Sequence, residues 1–210
     1  NNTMEAVELT RFAKEVGCDG ALLITPYYNK PTQAGLLAHY KKIANEVDIP
    51  IILYNVPSRT GIKLEAETVA ELNKIPNIVA IKEAGGSVDQ VSQILSLCDI
   101  TVLSGDDSLT LPMMSVGAVG VISVAANVVP AELAKMCTLA LEGNYAQARE
   151  IHYRLMPLFK ALFYETNPMP VKAALARMGM IKNVLRLPLV PMSEPQFKRL
   201  EQVLQKLQLI

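Results

Sequence analysis

Five short apolar runs, at residues 21–24, 51–54, 78–82, 101–104 and 120–123, recur along the chain with a helix-length segment between each and the next. Leu36, Leu37, Tyr40, Ile43 and Val47 fall at helical spacing, and residues 65–75, 87–97 and 109–116 carry similar patterns; Met4, Val7, Phe12 and Val16 predict a helix before the first run. Strands joined through helices must pair parallel, because a tight hairpin can join only antiparallel strands. Continuous rather than alternating apolar runs predict strands covered on both faces. The pattern therefore specifies an α/β fold. Beyond Asn127 it changes to helices alone, expected at 130–142, 145–163, 168–178 and 195–207.

Half of the 210 residues are hydrophobic and 19% are charged, enough apolar material for one globular folding unit with a sizeable core. The most apolar stretch, 116–133, is interrupted by Gly117, Gly120, Asn127 and Pro130 and does not read as a membrane helix. Twenty basic residues balance twenty acidic ones, which removes the electrostatic case for nucleic acid or an anionic membrane and leaves a small molecule as the expected ligand. Cys18, Cys98 and Cys137 are odd in number, widely spaced and set among apolar residues, so they read as reduced core thiols of a cytoplasmic protein. His39 and His152 are the only histidines, and neither has a cysteine or carboxylate at ligand spacing. No glycine-rich nucleotide motif is present, so neither a metal nor a cofactor is expected. Asn2 with Glu5 reads as a helix cap with its capping-box partner, so the chain is expected to begin inside a fold.

Polar and special residues gather after each apolar run: Tyr27 and Tyr28, Tyr54 with Arg59, Lys82 with Glu83, Gly105-Asp106-Asp107, and Ser123. These are the C-terminal ends of the predicted strands, where parallel α/β folds bind ligands. Lys82 is the most informative of them. An amine at the end of a buried strand loses hydration, which lowers its pKa toward the range where it serves as a nucleophile. The same position also suits a lysine whose stem lies on the strand while its ammonium reaches water.

Tyr54-Asn55-Val56-Pro57-Ser58-Arg59-Thr60-Gly61, followed one β/α unit later by Ile81-Lys82-Glu83-Ala84, resembles the dihydrodipicolinate synthase family. Thr25-Pro26-Tyr27-Tyr28-Asn29, Leu103-Ser104-Gly105-Asp106-Asp107, Gly120-Val121-Ile122-Ser123-Val124 and Asn167-Pro168-Met169-Pro170-Val171-Lys172 match it in the same order, so the resemblance covers essentially the whole chain. It implies a (β/α)8 TIM barrel with a C-terminal helical extension. It also implies condensation of pyruvate with aspartate semialdehyde through a Schiff base on Lys82, giving 4-hydroxy-tetrahydrodipicolinate in diaminopimelate and lysine biosynthesis. By the same resemblance Tyr54 relays protons, Arg59 holds the carboxylate of the second substrate, and Gly105 and Ile122 line the pyruvate site. Tyr28 is implied to cross a dimer interface in a homo-oligomer, commonly a tetramer built as a dimer of dimers. Asn1, Glu5 and Tyr27 match positions that bind feedback lysine in regulated members.

Against that pattern, five of eight strands are expected here, with residues 1–127 forming strands four to eight and residues 128–210 the last barrel helix and the helical region; the first two to three β/α units are expected to be missing. An incomplete barrel leaves unpaired edges, so a catalytically silent fragment that folds by association is one alternative. Another pyruvate-dependent lyase, such as N-acetylneuraminate lyase, is a second. Arg59 opposes it, since sialic acid lyases resembling the family at Tyr54 and Lys82 typically lack that arginine.

Overall fold

Asn2 starts the first helix: its side-chain oxygen accepts from the Met4 and Glu5 amides, satisfying two of the donors a helix leaves unpaired at its start. This is α1 (Thr3–Glu15) of the computed structural model, which describes residues 1–210. Glu5 does not close the capping box and instead lines a groove beside the helix. The chain then runs through β1 (Ala21–Ile24), α2 (Gln33–Glu46), β2 (Ile51–Asn55), the single turn α3 (Pro57–Thr60), α4 (Ala66–Leu72), β3 (Ile78–Glu83), α5 (Val88–Leu97), β4 (Thr101–Ser104), α6 (Thr110–Met114) and β5 (Gly120–Val121). All of these lie in one unit, Asn1–Ile122.

The five strands pair in parallel and in chain order, β1-β2-β3-β4-β5. Successive helices also pack on one another, α1 on α2, α2 on α4, α4 on α5 and α5 on α6. A doubly wound sheet would reverse its strand order at a switch point; steady progression in one direction is the winding of a TIM barrel. The expectation that both sheet faces are covered is corrected. In β2 the side chains of Ile51, Leu53 and Asn55 are buried while Ile52 and Tyr54 are half-buried, and Leu22, which pairs with Ile52, is 43% exposed. The helices cover one face, and the other is the concave side of a curling sheet.

Ile51 pairs with Ile78 but Ile52 with Ala80, so Val79 is an extra residue in β3, a bulge that resets the register. Downstream of it, Tyr54 pairs with Lys82 and Asn55 with Glu83. A one-residue slip exchanges the faces of a strand, so Val79 decides which side chains of β3 share a face with Tyr54.

Several boundaries differ from expectation. β2 and β3 each run one residue further, placing Asn55 and Glu83 within strands, and β5 stops at Val121. α6 is shortened because the Asp106 carboxylate takes the Ser108 and Leu109 amides into a turn. The cysteines are not core thiols: Cys18 is exposed in the turn that Gly17, at φ +86°, makes after α1, and Cys98 and Cys137 are half-buried, one at the end of α5 and the other on a later helix.

The second unit, Ser123–Ile210, is helical. A 3-10 turn at Ala125–Asn127 leads into α7 (Pro130–Leu141), which packs on α8 (Tyr145–Ala161). Next come α9 (Met169–Arg177) and α10 (Glu194–Lys206), and α10 packs on both α8 and α9. Leu200 and Leu204, one turn apart on α10, are fully buried, as are Met136, Leu158 and Leu162. No helix of the chain is long and apolar enough to cross a membrane.

In the first unit, α1 and α2 are tied where Thr3 Oγ1 lies 2.9 Å from His39 Nδ1, and burial lowers the His39 pKa from 6.5 to about 4. The native state thus binds this proton more weakly than the unfolded chain does, so the His39 contribution is fully present above pH 6.5 and is lost as pH falls toward about 4. Urea midpoints measured across this interval should drop for the native sequence and drop less for His39→Gln, which does not titrate.

Candidate active site

The parallel register sets Tyr54 and Lys82 side by side at the C-terminal ends of neighbouring strands, with their side chains on the concave face. Lys82 Nζ lies 4.1 Å from the centroid of the Tyr54 ring. Burial lowers the Lys82 pKa; the Asp107 carboxylate opposes that shift and the Arg59 guanidinium adds to it. Burial also raises the Tyr54 pKa, against an opposing pull from Arg59. Both groups move toward their neutral forms, an amine that can attack an electrophile beside a phenol that keeps a proton to give.

Gly105 lets the Lys82 stem pass. A Cβ at that position would sit 2.7 Å from Ala84 Cβ and 3.0 Å from Lys82 Cε, so a side chain there would push the amine aside. The Gly105 amide donates to Glu83 O at 2.7 Å and the Ile122 amide to Ser104 O at 2.9 Å, which continues the ladder past the strand ends and brings Gly105 and Ile122 to the rim that holds Lys82. Arg59, exposed on α3, acts electrostatically on both Lys82 and Tyr54. The structure thus gathers Lys82, Tyr54, Arg59, Gly105 and Ile122 at one end of the sheet, and adds Asp107, a buried carboxylate that sequence reasoning had left within a motif.

Tyr28 is 88% exposed with φ of +71°, a left-handed conformation unusual for an aromatic residue, so the β1–α2 loop spends strain to turn this ring outward. Tyr27 lies elsewhere. With Asn1, Glu5, Leu22 and His39 it lines a groove of about 460 Å³ between α1 and β1.

Behind Tyr54 and Lys82, on the helix-covered face, Asn55 and Glu83 are both fully buried. Asn55 Nδ2 donates to the two Glu83 carboxylate oxygens at 3.1 and 2.9 Å, and the Gly85 amide donates to Oε1 at 2.6 Å. Burial raises the Glu83 pKa, while these hydrogen bonds pull it down. Sequence reasoning missed this pair as a structural unit. The available signal was adjacency, since each follows a site residue and alternation sends it to the opposite face.

The profile of the dihydrodipicolinate synthetase family matches residues 1–207. A 4-hydroxy-tetrahydrodipicolinate synthase of Syntrophobacter fumaroxidans is 56% identical over 100% of this chain and 73% of its own length. The crystal structure of dihydrodipicolinate synthase from Aquifex aeolicus, 54% identical, superposes with a TM-score of 0.98 over 100% of this chain and 72% of that one. A chloride-inhibited dihydrodipicolinate synthase from Acinetobacter baumannii, complexed with pyruvate, is 45% identical with a TM-score of 0.97 over 100% of this chain and 72% of that one.

Because only the neutral amine is nucleophilic, the lowered Lys82 pKa shifts its reactivity to lower pH. Labelling by trinitrobenzenesulfonate, mapped to Lys82 by peptide mass, should reach half its maximal rate below the pH of a solvated alkylamine. Asp107→Asn removes the carboxylate that favours the ammonium and should move that midpoint lower still.

Proposed function

The chain belongs to the dihydrodipicolinate synthetase family, and from that membership we propose that it condenses pyruvate with aspartate semialdehyde through an imine on Lys82, giving 4-hydroxy-tetrahydrodipicolinate for diaminopimelate and lysine formation. The supporting observation is the half-buried Lys82 amine of lowered basicity, 4.1 Å from the ring of a phenol that holds its proton. That one relative is a pyruvate complex supports the first substrate.

In this mechanism neutral Lys82 adds to the pyruvate ketone, and loss of water gives a protonated imine. The imine withdraws electrons from the neighbouring methyl group, which yields a proton and becomes an enamine carbon. That carbon attacks the aldehyde, forming the new carbon–carbon bond, and Tyr54 supplies the proton that the aldehyde oxygen needs and takes one back from the ammonium of the same substrate. The amine of the aldehyde substrate then displaces Lys82 from the imine carbon and closes the ring, and the enzyme is restored without a cofactor. Arg59 faces the second substrate, where its planar fork suits a carboxylate. Gly105 and Ile122 line the side where pyruvate sits. The arginine favours this synthase over an N-acetylneuraminate lyase.

We place the five strands as the fourth to eighth of a closed barrel. β1 and β5 each keep one unpaired edge, so three further strands from outside these 210 residues would close it. Tyr28, turned outward, fits a ring that reaches into a second copy, in a homo-oligomer such as a dimer of dimers. Asn1, Glu5 and Tyr27 line one groove, which suits a regulatory lysine: Glu5 matches its ammonium and the groove is separate from Lys82. A biosynthetic enzyme of this kind is expected in the cytoplasm.

Borohydride reduction in the presence of pyruvate should add one pyruvyl group, mapped to Lys82; a folded protein with no adduct would leave only the silent-fragment alternative. Arg59→Ala should raise KM for aspartate semialdehyde by roughly tenfold to a hundredfold, the cost of losing a charge-assisted pair of about 1.5–3 kcal/mol, while pyruvate trapping persists. Tyr54→Phe should lower kcat by a factor of about 10² or more, as removal of a general acid does, with the Lys82 adduct still able to form.

A further inference from the structure

Residues 63–65, which follow the loop that carries Arg59, have no strand partner, yet every inward backbone group there is met by a side-chain amide. Gln33 Nε2 donates to Lys63 O at 2.8 Å, and Gln33 Oε1 accepts the Glu65 amide at 3.2 Å. Asn55 Oδ1 accepts the Leu64 amide at 2.9 Å, and Gln90 Nε2 donates to Leu64 O at 2.9 Å. Of these clamps, only Asn55 belongs to a strand that carries a reacting group, and its other end is committed to Glu83, next to Lys82.

We propose that Asn55 and Glu83 are positioning residues: their buried amide–carboxylate pair fixes the loop bearing Arg59 relative to the strand bearing Lys82, and so sets the spacing between the second substrate's carboxylate and the nascent enamine. This rests on the reading of Arg59 given above. The donor and acceptor pattern leaves no freedom. Leu64 offers an N–H, so Asn55 must turn its oxygen to the loop and its NH2 to residue 83. Glu83 then receives donors from Asn55 and from Gly85, a demand that an acceptor-only carboxylate meets. A Cβ at position 85 would lie 2.6 Å from Glu83 Oε1, so a side chain there would displace the carboxylate from its place against the Gly85 amide.

Most of the donor and acceptor roles can be exchanged within the same framework. In Glu83→Gln, an NH2 meets the NH2 of Asn55, or Asn55 flips and opposes the Leu64 N–H. In Asn55→Asp, two carboxylates face each other in a buried site. In the double variant, Asn55→Asp with Glu83→Gln, the bonds to Gly85 and Leu64 and one of the two bonds between positions 55 and 83 are restored with roles exchanged, while the 3.1 Å contact to Oε1 becomes oxygen against oxygen and opens. The amide introduced at position 83 accepts from Gly85 and donates to the carboxylate introduced at position 55, which in turn accepts from Leu64, and the net charge is kept.

Each single variant should raise KM for aspartate semialdehyde by roughly tenfold or more, the effect of a buried donor left without an acceptor, with borohydride-trapped pyruvate at Lys82 unchanged and with faster hydrogen exchange of the Leu64 amide. The double variant should return both KM and Leu64 protection to within about threefold of the parent, since the Leu64 and Gly85 amides again meet acceptors and positions 55 and 83 are again joined donor to acceptor. Singles that change neither quantity, or a double that stays impaired or does not fold, would overturn the proposal. If a single variant does not fold, the double alone decides. Arg59→Ala in the same assay separates the two readings: if it leaves KM unchanged, the assignment of Arg59 falls, while Leu64 exchange still judges the Asn55–Glu83 pair. If it raises KM and the single variants do not, only the positioning role falls.

Discussion

Two cross-strand pairs hold the site together, and one extra residue makes them. Tyr54 with Lys82 and Asn55 with Glu83 are neighbours across β2 and β3 because Val79 is bulged out of the ladder. With no bulge, the upstream register of Ile51 with Ile78 would continue and set Tyr54 against Ile81 and Asn55 against Lys82. The amine would then share a rung with an amide whose side chain points to the helices, and Glu83 would lose its Asn55 rung. The energetic consequence is large, since an unpaired buried ion costs several kcal/mol, comparable with a good part of a domain's net stability.

Alternation along a strand gives Lys82 and Glu83 opposite fates. Lys82 points to the concave face, remains half-buried, and is shifted toward neutrality by desolvation. Glu83 points to the helix-covered face, is fully buried, and has its carboxylate compensated by Asn55 and Gly85. Desolvation raises the Glu83 pKa, so its burial in the charged form opposes folding above that pKa and is offset by directed hydrogen bonds. One strand end thus presents reactivity on one side and geometric definition on the other. Satisfying the amide and carboxylate locally also means that the reacting amine need not serve as their counter-ion.

Much of this was readable before any coordinates. The five apolar runs and their helical spacers give the strands and their parallel pairing, and the polar residues after each run mark the end of the sheet where Lys82, Tyr54 and Arg59 meet. The bulge was hidden because Ile78, Val79, Ala80 and Ile81 are all apolar, and a uniform run does not reveal which residue is extra. The roles of Asn55 and Glu83 were hidden for a related reason: a polar residue after an apolar run reads as the start of a loop, although both still belong to the ladder. Cys18 was misread because the apolar segments before and after it suggested a core, whereas the turn at Gly17 carries it to the surface. The contact of Thr3 with His39 spans 36 positions and leaves no local trace.

Glycine explains how the strand end can be approached so closely. Gly105 and Gly85 both flank the end of β3, one beside the Lys82 stem and the other against the Glu83 carboxylate, and at each a single added carbon would fall below 3.0 Å from a neighbour. Neither glycine has the positive φ that would explain it by backbone conformation, so space is the reason for both. The end of β3 therefore has one close approach on each face. Such packing restricts the rotamers open to Lys82 and Glu83, and a group held in few rotamers loses less entropy when it reacts or accepts its donors. Chemistry on one face and definition on the other arise from the same crowding, which is why a change at either face is felt at the other.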